Sequence, residues 1–229
     1  MKLLGVGNNS KTIKGDGKGY LTAILYLAPD RNHTVPGHRN TLCPYATPGC
    51  SAACLYTAGR GRMPKVQEAR IRKANWFLED TQGFLEAIRS DIEKHETYCK
   101  SRQITPVIRL NGTSDVLWES YGIPQDYPDI QFYDYTKVLP RLRRKIPSNY
   151  HPTFSRSEVT QDSTVKTVVS QGTNVAVVFN ELPEKYLGIP VINGDKNDLR
   201  FTDPAGVIVG LIAKGDAKKD SSGFVVGKL

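Results

Sequence analysis

The sequence of 229 residues holds no apolar run of the length a membrane span needs, and its opening MKLLGVGNNSK lacks the apolar core of a secretory signal. An intracellular protein with no membrane partner is expected. Cysteine is scarce, four residues in all, and in a reducing compartment so few thiols point to ligands or catalytic groups before disulfides. The chain also lacks the apolar poverty of a disordered one: hydrophobic residues make up 39% and charged residues 24%, a balance that predicts a globular fold. No Walker A sequence, GxSxG elbow or Ser/His/Asp order is present, which removes the common phosphate-loop and serine-hydrolase chemistries. No repeat of fixed period appears, so a solenoid is not expected.

A surplus of cations is present, with a formal net charge of +8 and a pI near 9.3. It favours anionic partners, nucleic acid among them, but phosphorylated or carboxylate metabolites equally. The densest basic run, Arg141, Arg143, Arg144 and Lys145, reads as a phosphate contact or as a solvated helix face.

The length suits one domain over residues 1–229. A short apolar run, Leu21 to Leu27, reads as a buried strand closed by Pro29 and Asp30. A loop broken by Pro36, Gly37, Pro44, Pro48 and Gly49 follows. Pro64 suits a first helical position, and Val66, Ala69, Ala74 and Phe77 then share one helical face. Asp80 is a natural N-cap for a second helix with Phe84, Leu85, Ile88 and Ile92 on one stripe, ending near Cys99. Further strands are expected from 106, 129, 150, 174, 190 and 206, with helical linkers at 137–146 and 160–171. Strands alternating with helices imply a parallel α/β sheet, either doubly wound or a partial or complete (β/α) TIM-like barrel, and six or seven strands fit a partial barrel slightly better. In such a fold the polar strand ends, Asn111 to Asp115, Asp134 to Lys137, Ser155 to Glu158, Asn180 with Glu181, and Lys214 to Asp216, gather on one rim.

The chemistry concentrates in the loop 39–63, where Cys43-x6-Cys50-x3-Cys54 places three of the four thiols within twelve residues. Thiolates bind soft or borderline metals, and a loop rich in Pro and Gly can fold three sulfurs around one centre. Packing as small buried hydrophobes is the alternative. Zinc prefers paired Cys-x2-Cys knuckles, which are absent, whereas an iron-sulfur cubane tolerates varied spacing. A [4Fe-4S] cluster on Cys43, Cys50 and Cys54 is therefore expected. Cys99 is a candidate fourth sulfur, the other option being an iron left open to a small molecule, and His33 and His38 stand outside the main set.

Other polar residues carry two readings each. Asn111, Thr113, Ser114, Asp115, Ser155 and Lys214 are candidate ligand contacts, and most of them are also ordinary capping residues. Gly59-Arg60-Gly61-Arg62 before Pro64 suits an anion or an exposed turn, and Arg70 and Arg72 on the following helix add charge or solvate it.

The run CPYATPGCSAACLYTAGRGR, the helix with Arg70, and the later RLNGTSD and FYDYTK resemble the phage and plasmid family called gene product 88, from about Thr41 to Asp216. That resemblance implies a phage or mobile-element context, hence the cytoplasm of a host cell. A looser resemblance, three cysteines after the first strand of a partial barrel, is to radical S-adenosylmethionine enzymes, whose usual spacing is Cys-x3-Cys-x2-Cys. It implies S-adenosylmethionine at the open iron and an electron-donor protein as partner. The expectation is thus an iron-sulfur protein with a radical-SAM-like barrel, a redox or radical enzyme. The alternative is a metal-stabilised protein without catalysis that binds nucleic acid or a host protein.

Overall fold

The computed structural model describes residues 1–7, 18–37 and 40–227. His38, Arg39 at the start of the cysteine loop, and most of the GVGNNSK segment lie outside the described residues. Ten strands form the sheet: β1 (Leu4–Val6), β2 (Tyr20–Leu25), β3 (Thr105–Arg109), β4 (Gln131–Thr136), β5 (Tyr150–Ser155), β6 (Val175–Phe179), β7 (Lys185–Tyr186), β8 (Ile189–Asn193), β9 (Ile208–Ile212) and β10 (Val225–Val226). Their order is β1-β2-β3-β4-β5-β6-β9-β8-β7, with β10 beside β6. Every pairing from β2 through to β8 is parallel, and only β1 and β7 run against their neighbours. β9 pairs along the whole of β6, so β5 and β10 divide the other edge: β5 takes Val175 and Ala176, and β10 takes Val178 and Phe179.

The helices follow the sequence pattern closely. α1 (Pro48–Ala52) is a short turn in the cysteine loop; α2 (Pro64–Glu79) and α3 (Thr81–Ser101) meet at Asp80, whose Oδ1 accepts from the Gly83 amide at 2.9 Å. Asp80 therefore caps α3 as its residue type predicts. α4 (Ile123–Asp126) is a single turn, and α5 (Asp162–Ser170) fills the expected linker before β6. The other expected helix, 137–146, is only a 3-10 segment, Leu139–Arg143.

α2 and α3 bury Ala74, Phe77, Phe84, Ile88 and Ile92 against Leu25, Ile108, Phe132 and Tyr150 of β2 to β5. α5 places Val165, Val168 and Val169 on Phe154, Val175, Val177 and Ile208. The parallel registers put these strand residues on one face, since side chains alternate along each strand.

The opposite face is polar. Arg109 of β3 donates to Asp198 at 2.8 Å, and the hydroxyls of Tyr133 and Tyr135 on β4 donate to the same carboxylate at 2.9 and 3.4 Å. Asp198 and Phe201 belong to the β8–β9 connection, and Phe201 packs edge-on against Tyr20 of β2 at 5.3 Å between ring centroids. That connection therefore lies across the face that would line a barrel. The complete barrel is the alternative to correct: the sheet ends in antiparallel β1 on one side and the β7–β8 hairpin on the other, and its inward face is occupied by chain. The α/β class and the parallel sheet stand, and the complete TIM-like barrel does not form.

Candidate functional site

The cysteine loop lies along the rim where the parallel strands end. Thr47 caps α1, its hydroxyl accepting from the Cys50 amide at 3.2 Å, and Pro48 fills the first helical position. The Cys54 sulfur caps a 3-10 turn, Leu55–Thr57, by accepting from the Tyr56 amide at 3.5 Å. Cys43 accepts from the Asp30 amide at 3.3 Å and directs its thiol toward the Thr113 carbonyl at 3.8 Å. A Cβ on Gly61 would meet the carbonyl oxygens of Leu55 and Tyr56 at 2.7 Å, so this turn needs glycine.

Segments after four strands hold the loop. After β3, the Asp115 amide donates to the Leu42 carbonyl at 2.8 Å. After β4, Lys137 stands close enough to Cys54 to favour its thiolate. After β5, Glu158 accepts from the Gly49 amide and the Thr47 hydroxyl, both at 2.7 Å. After β9, Gly215 packs on Ala58 and Asp216 pairs with Arg62 at 2.5 Å. Residues after β3, β4, β5 and β9 thus meet the cysteine loop at one rim of the sheet.

Cys43, Cys50 and Cys54 are free and half-buried. Burial pushes the Cys43 thiol up to about 12, the Asp30 amide opposes this, and Asp115, Cys54 and Cys50 raise it further. Cys54 is also raised, by burial first and by Cys50, against the Tyr56 amide, Lys137 and Arg70. The three sulfurs therefore lie within electrostatic reach of one another. Among the described residues, no three His, Cys, Asp or Glu side chains stand at metal-ligating spacing.

Cys99 lies elsewhere. It is fully buried near the end of α3, contacts His95 at 3.6 Å, and is held up at about 11 by burial. Its carbonyl accepts from the Ile104 amide, which puts it at the entry end of β3, while Thr113 beside Cys43 follows the exit end. The five residues of β3 span roughly 16 Å at about 3.3 Å per residue. Cys99 is not brought to the three.

The remaining candidates divide. Asn111 is consumed by structure: its Oδ1 accepts from Ser114 Oγ and the Val116 amide at 2.9 Å and from Trp118 Nε1 at 3.1 Å, and its Nδ2 donates to the Val116 carbonyl at 2.9 Å. Ser114 is thereby spent too, and Thr113 donates to the Leu27 carbonyl at 2.7 Å. Ser155 accepts from Lys137 at 2.7 Å, and exposed Lys214 donates to Asp195 at 2.7 Å. Asp115 keeps reactive capacity: its Oδ2 takes the Lys137 amide at 2.7 Å, whereas its buried Oδ1 has no hydrogen-bond partner. Burial raises its pKa against that amide, Thr136 and Arg141.

Two cationic readings change. Arg141, in the densest basic run, is buried and donates through Nε and Nη2 to Glu119 at 2.7 and 2.8 Å, so it offers nothing to a phosphate. Arg70 is not a solvating charge but a buried one. It lies four residues from Val66 and four from Ala74, on the stripe predicted to face the sheet, and that spacing was the available signal.

The gene product 88 family model matches residues 2–228. The chain belongs to the gene product 88 family. This phage-type family covers nearly the whole fold, including the cysteine loop and every strand of the rim. No curated protein and no solved structure matches the chain, and the comparisons lend no support to the looser likeness to radical S-adenosylmethionine enzymes. Among the described residues of this gene product 88 protein, no helix is long and apolar enough to cross a membrane.

Proposed function

We propose that this protein is an iron-sulfur protein whose loop 39–63 holds a cluster on Cys43, Cys50 and Cys54. The observation that carries the reading is the donor set at the rim: three free thiols on one loop, each within electrostatic reach of another, with the cations Arg70 and Lys137 beside Cys54. Thiolates are the form that binds metal; burial raises both Cys43 and Cys54 against ionisation, and Arg70 and Lys137 offset part of that at Cys54. The thiol donors suit a cluster in chemistry, with Cys43, Cys50 and Cys54 as ligands, but among the described residues they are not held at ligating spacing, so binding would have to draw the three sulfurs together. A bound cluster would supply one-electron redox capacity, and its fourth iron would be open to a small molecule, S-adenosylmethionine or another, since Cys99 is remote.

The protein's own residues give the centre a defined setting. Glu158 fixes the loop through Gly49 and Thr47, and Thr113 and Asp115 bound its inner side, the buried Oδ1 of Asp115 facing Arg141 Nη1 at 3.9 Å without a hydrogen bond.

The test is anaerobic purification of the native chain and of Cys43→Ala, Cys50→Ala, Cys54→Ala and Cys99→Ala, with iron, sulfide and zinc analysis. Iron and sulfide in equal amounts, lost with each of the first three substitutions and kept in Cys99→Ala, is the expected result. Zinc without sulfide, or no metal, would overturn the reading and favour a metal-stabilised or metal-free binding protein, to be assayed with nucleic acid.

A further inference from the structure

Three short segments meet on one side of the rim. The 3-10 turn Leu55–Thr57 packs on a second 3-10 turn, Gly215–Lys219, where Gly215 lies against Ala58. A third, Gly59–Arg62, leads into the start of α2. Arg62 ties the three together, its guanidinium donating to the Thr57 carbonyl and to Asp216, 154 residues away in sequence. Distant stretches of chain are thereby joined into one surface.

That surface is dominated by cations. Arg60, Arg62, Lys65, Lys214, Lys218 and Lys219 are all exposed. Arg62 and Lys214 are spent on Asp216 and Asp195, whereas Arg60, Lys65, Lys218 and Lys219 have no carboxylate partner among the described residues. The other nearby acids are engaged as well: Asp220 accepts from the Ser222 hydroxyl and the Val225 amide, and Glu68 faces Arg72. The first turn of α2 contains no acidic residue, so the positive end of that helix adds to the same field. Gathering unpaired charges of one sign costs stability through self-repulsion, and an anionic partner relieves it.

We propose that this surface docks the phosphate backbone of a nucleic-acid duplex. A duplex presents one negative charge per about 1.7 Å of axis, and lysine and arginine contacts to it position a protein without reading sequence. Leu55 and Met63, each 54% exposed among these cations, are aliphatic and offer no stacking platform for unpaired bases, which favours a duplex over a single strand. Protein interfaces are depleted of charge at their centre, whereas nucleic-acid interfaces are rich in positive charge, so the composition favours nucleic acid over an acidic protein. The basic run at 141–145 is the poorer candidate, since its Arg141 is buried on Glu119. The inference is independent of whether the three thiols bind a metal.

The experiment uses the full chain as native protein, as the combined variant Arg60→Gln, Lys218→Gln and Lys219→Gln, and as the combined variant Arg143→Gln, Arg144→Gln and Lys145→Gln. Both variants remove three exposed charges and touch no core residue. Binding to a labelled mixed-sequence duplex DNA is followed by fluorescence anisotropy over a series of salt concentrations. Four phosphate contacts predict a logarithmic salt slope of about −3.6, hence a loss of roughly a hundredfold in affinity between about 50 and 200 mM salt. The first variant should reduce the magnitude of that slope by about 2.7 and bind about tenfold or more weakly at low salt, with the second within about twofold of native. Equal losses in the two variants would assign the attraction to net charge and overturn the surface. No binding of the duplex at low salt would overturn the proposal outright. Tighter binding of the single strand, or of poly-glutamate, would overturn the duplex as occupant in favour of unpaired bases or of an acidic protein segment.

Discussion

Single residues at the rim show how a polar strand end is spent. Asn111 is placed like a ligand contact, yet it organises the turn after β3 by satisfying Ser114, Val116 and Trp118. Asn111→Ala would leave the buried Trp118 indole N–H and the Val116 amide without their acceptor, each costing about 1–3 kcal/mol. A fall of about 2–4 kcal/mol in unfolding free energy by urea titration is expected, with no change in slope. His95 gives a pH signature. Burial is the largest influence on its pKa, which lies below the ordinary 6.5 even though its ring bonds the Leu21 carbonyl at 3.0 Å. Above that value both folded and unfolded forms are neutral and His95 adds no pH dependence. As pH falls through it, the unfolded chain binds the proton more readily and stability declines. His95→Gln should flatten the fall in thermal midpoint between about pH 7 and pH 5; an unchanged slope would assign the loss to other groups. Neither role is readable from sequence, because an Asn that caps and an Asn that binds look alike until their partners are placed. Arg70 was hidden for a different reason: a charge within a helix is ordinarily solvated, and only its position on the apolar stripe argued otherwise.

The elements were legible in proportion to their length. α2, α3 and the strands from β2 to β6 carry enough residues for a period to show, and Pro64 and Asp80 mark helix starts by chemistry that needs no tertiary context. β1, β7 and β10 have three, two and two residues, too few for any alternation, and they exist because neighbouring strands offer partners. The cysteine loop is the reverse case: its breakers announced a loop, while its shape is imposed by Glu158, distant in sequence. Glu158→Gln removes the charge that takes the Gly49 amide and the Thr47 hydroxyl. Hydrogen exchange at Gly49 and Cys50 should quicken while global stability drops by only about 1–3 kcal/mol. Gly61→Ala should disturb the same loop more severely, since its new methyl group would meet backbone rather than a movable side chain.

At the scale of the molecule, the sequence conveyed a parallel α/β sheet with its chemistry on one rim, and it could not convey closure. Closure depends on where the β8–β9 connection goes, and that is decided by Asp198 meeting Arg109, Tyr133 and Tyr135 across a long stretch of chain. Asp198→Asn would leave Arg109 buried and uncompensated, a loss of about 3–5 kcal/mol, measurable as a lowered urea midpoint; a change under about 1 kcal/mol would show that the connection is held by its aromatic contacts instead. The walls of the cysteine site also have an order in time. Synthesis runs from the N-terminus, so all three thiols have been made once Cys54 is added, whereas Glu158, Gly215 and Ser222, the last of these within 2.3 Å of where a Gly49 methyl would stand, come much later. For most of its translation the chain carries its most reactive atoms without their enclosure. The three thiols of the loop are accordingly open to oxidation during translation until the residues that wall them have been added.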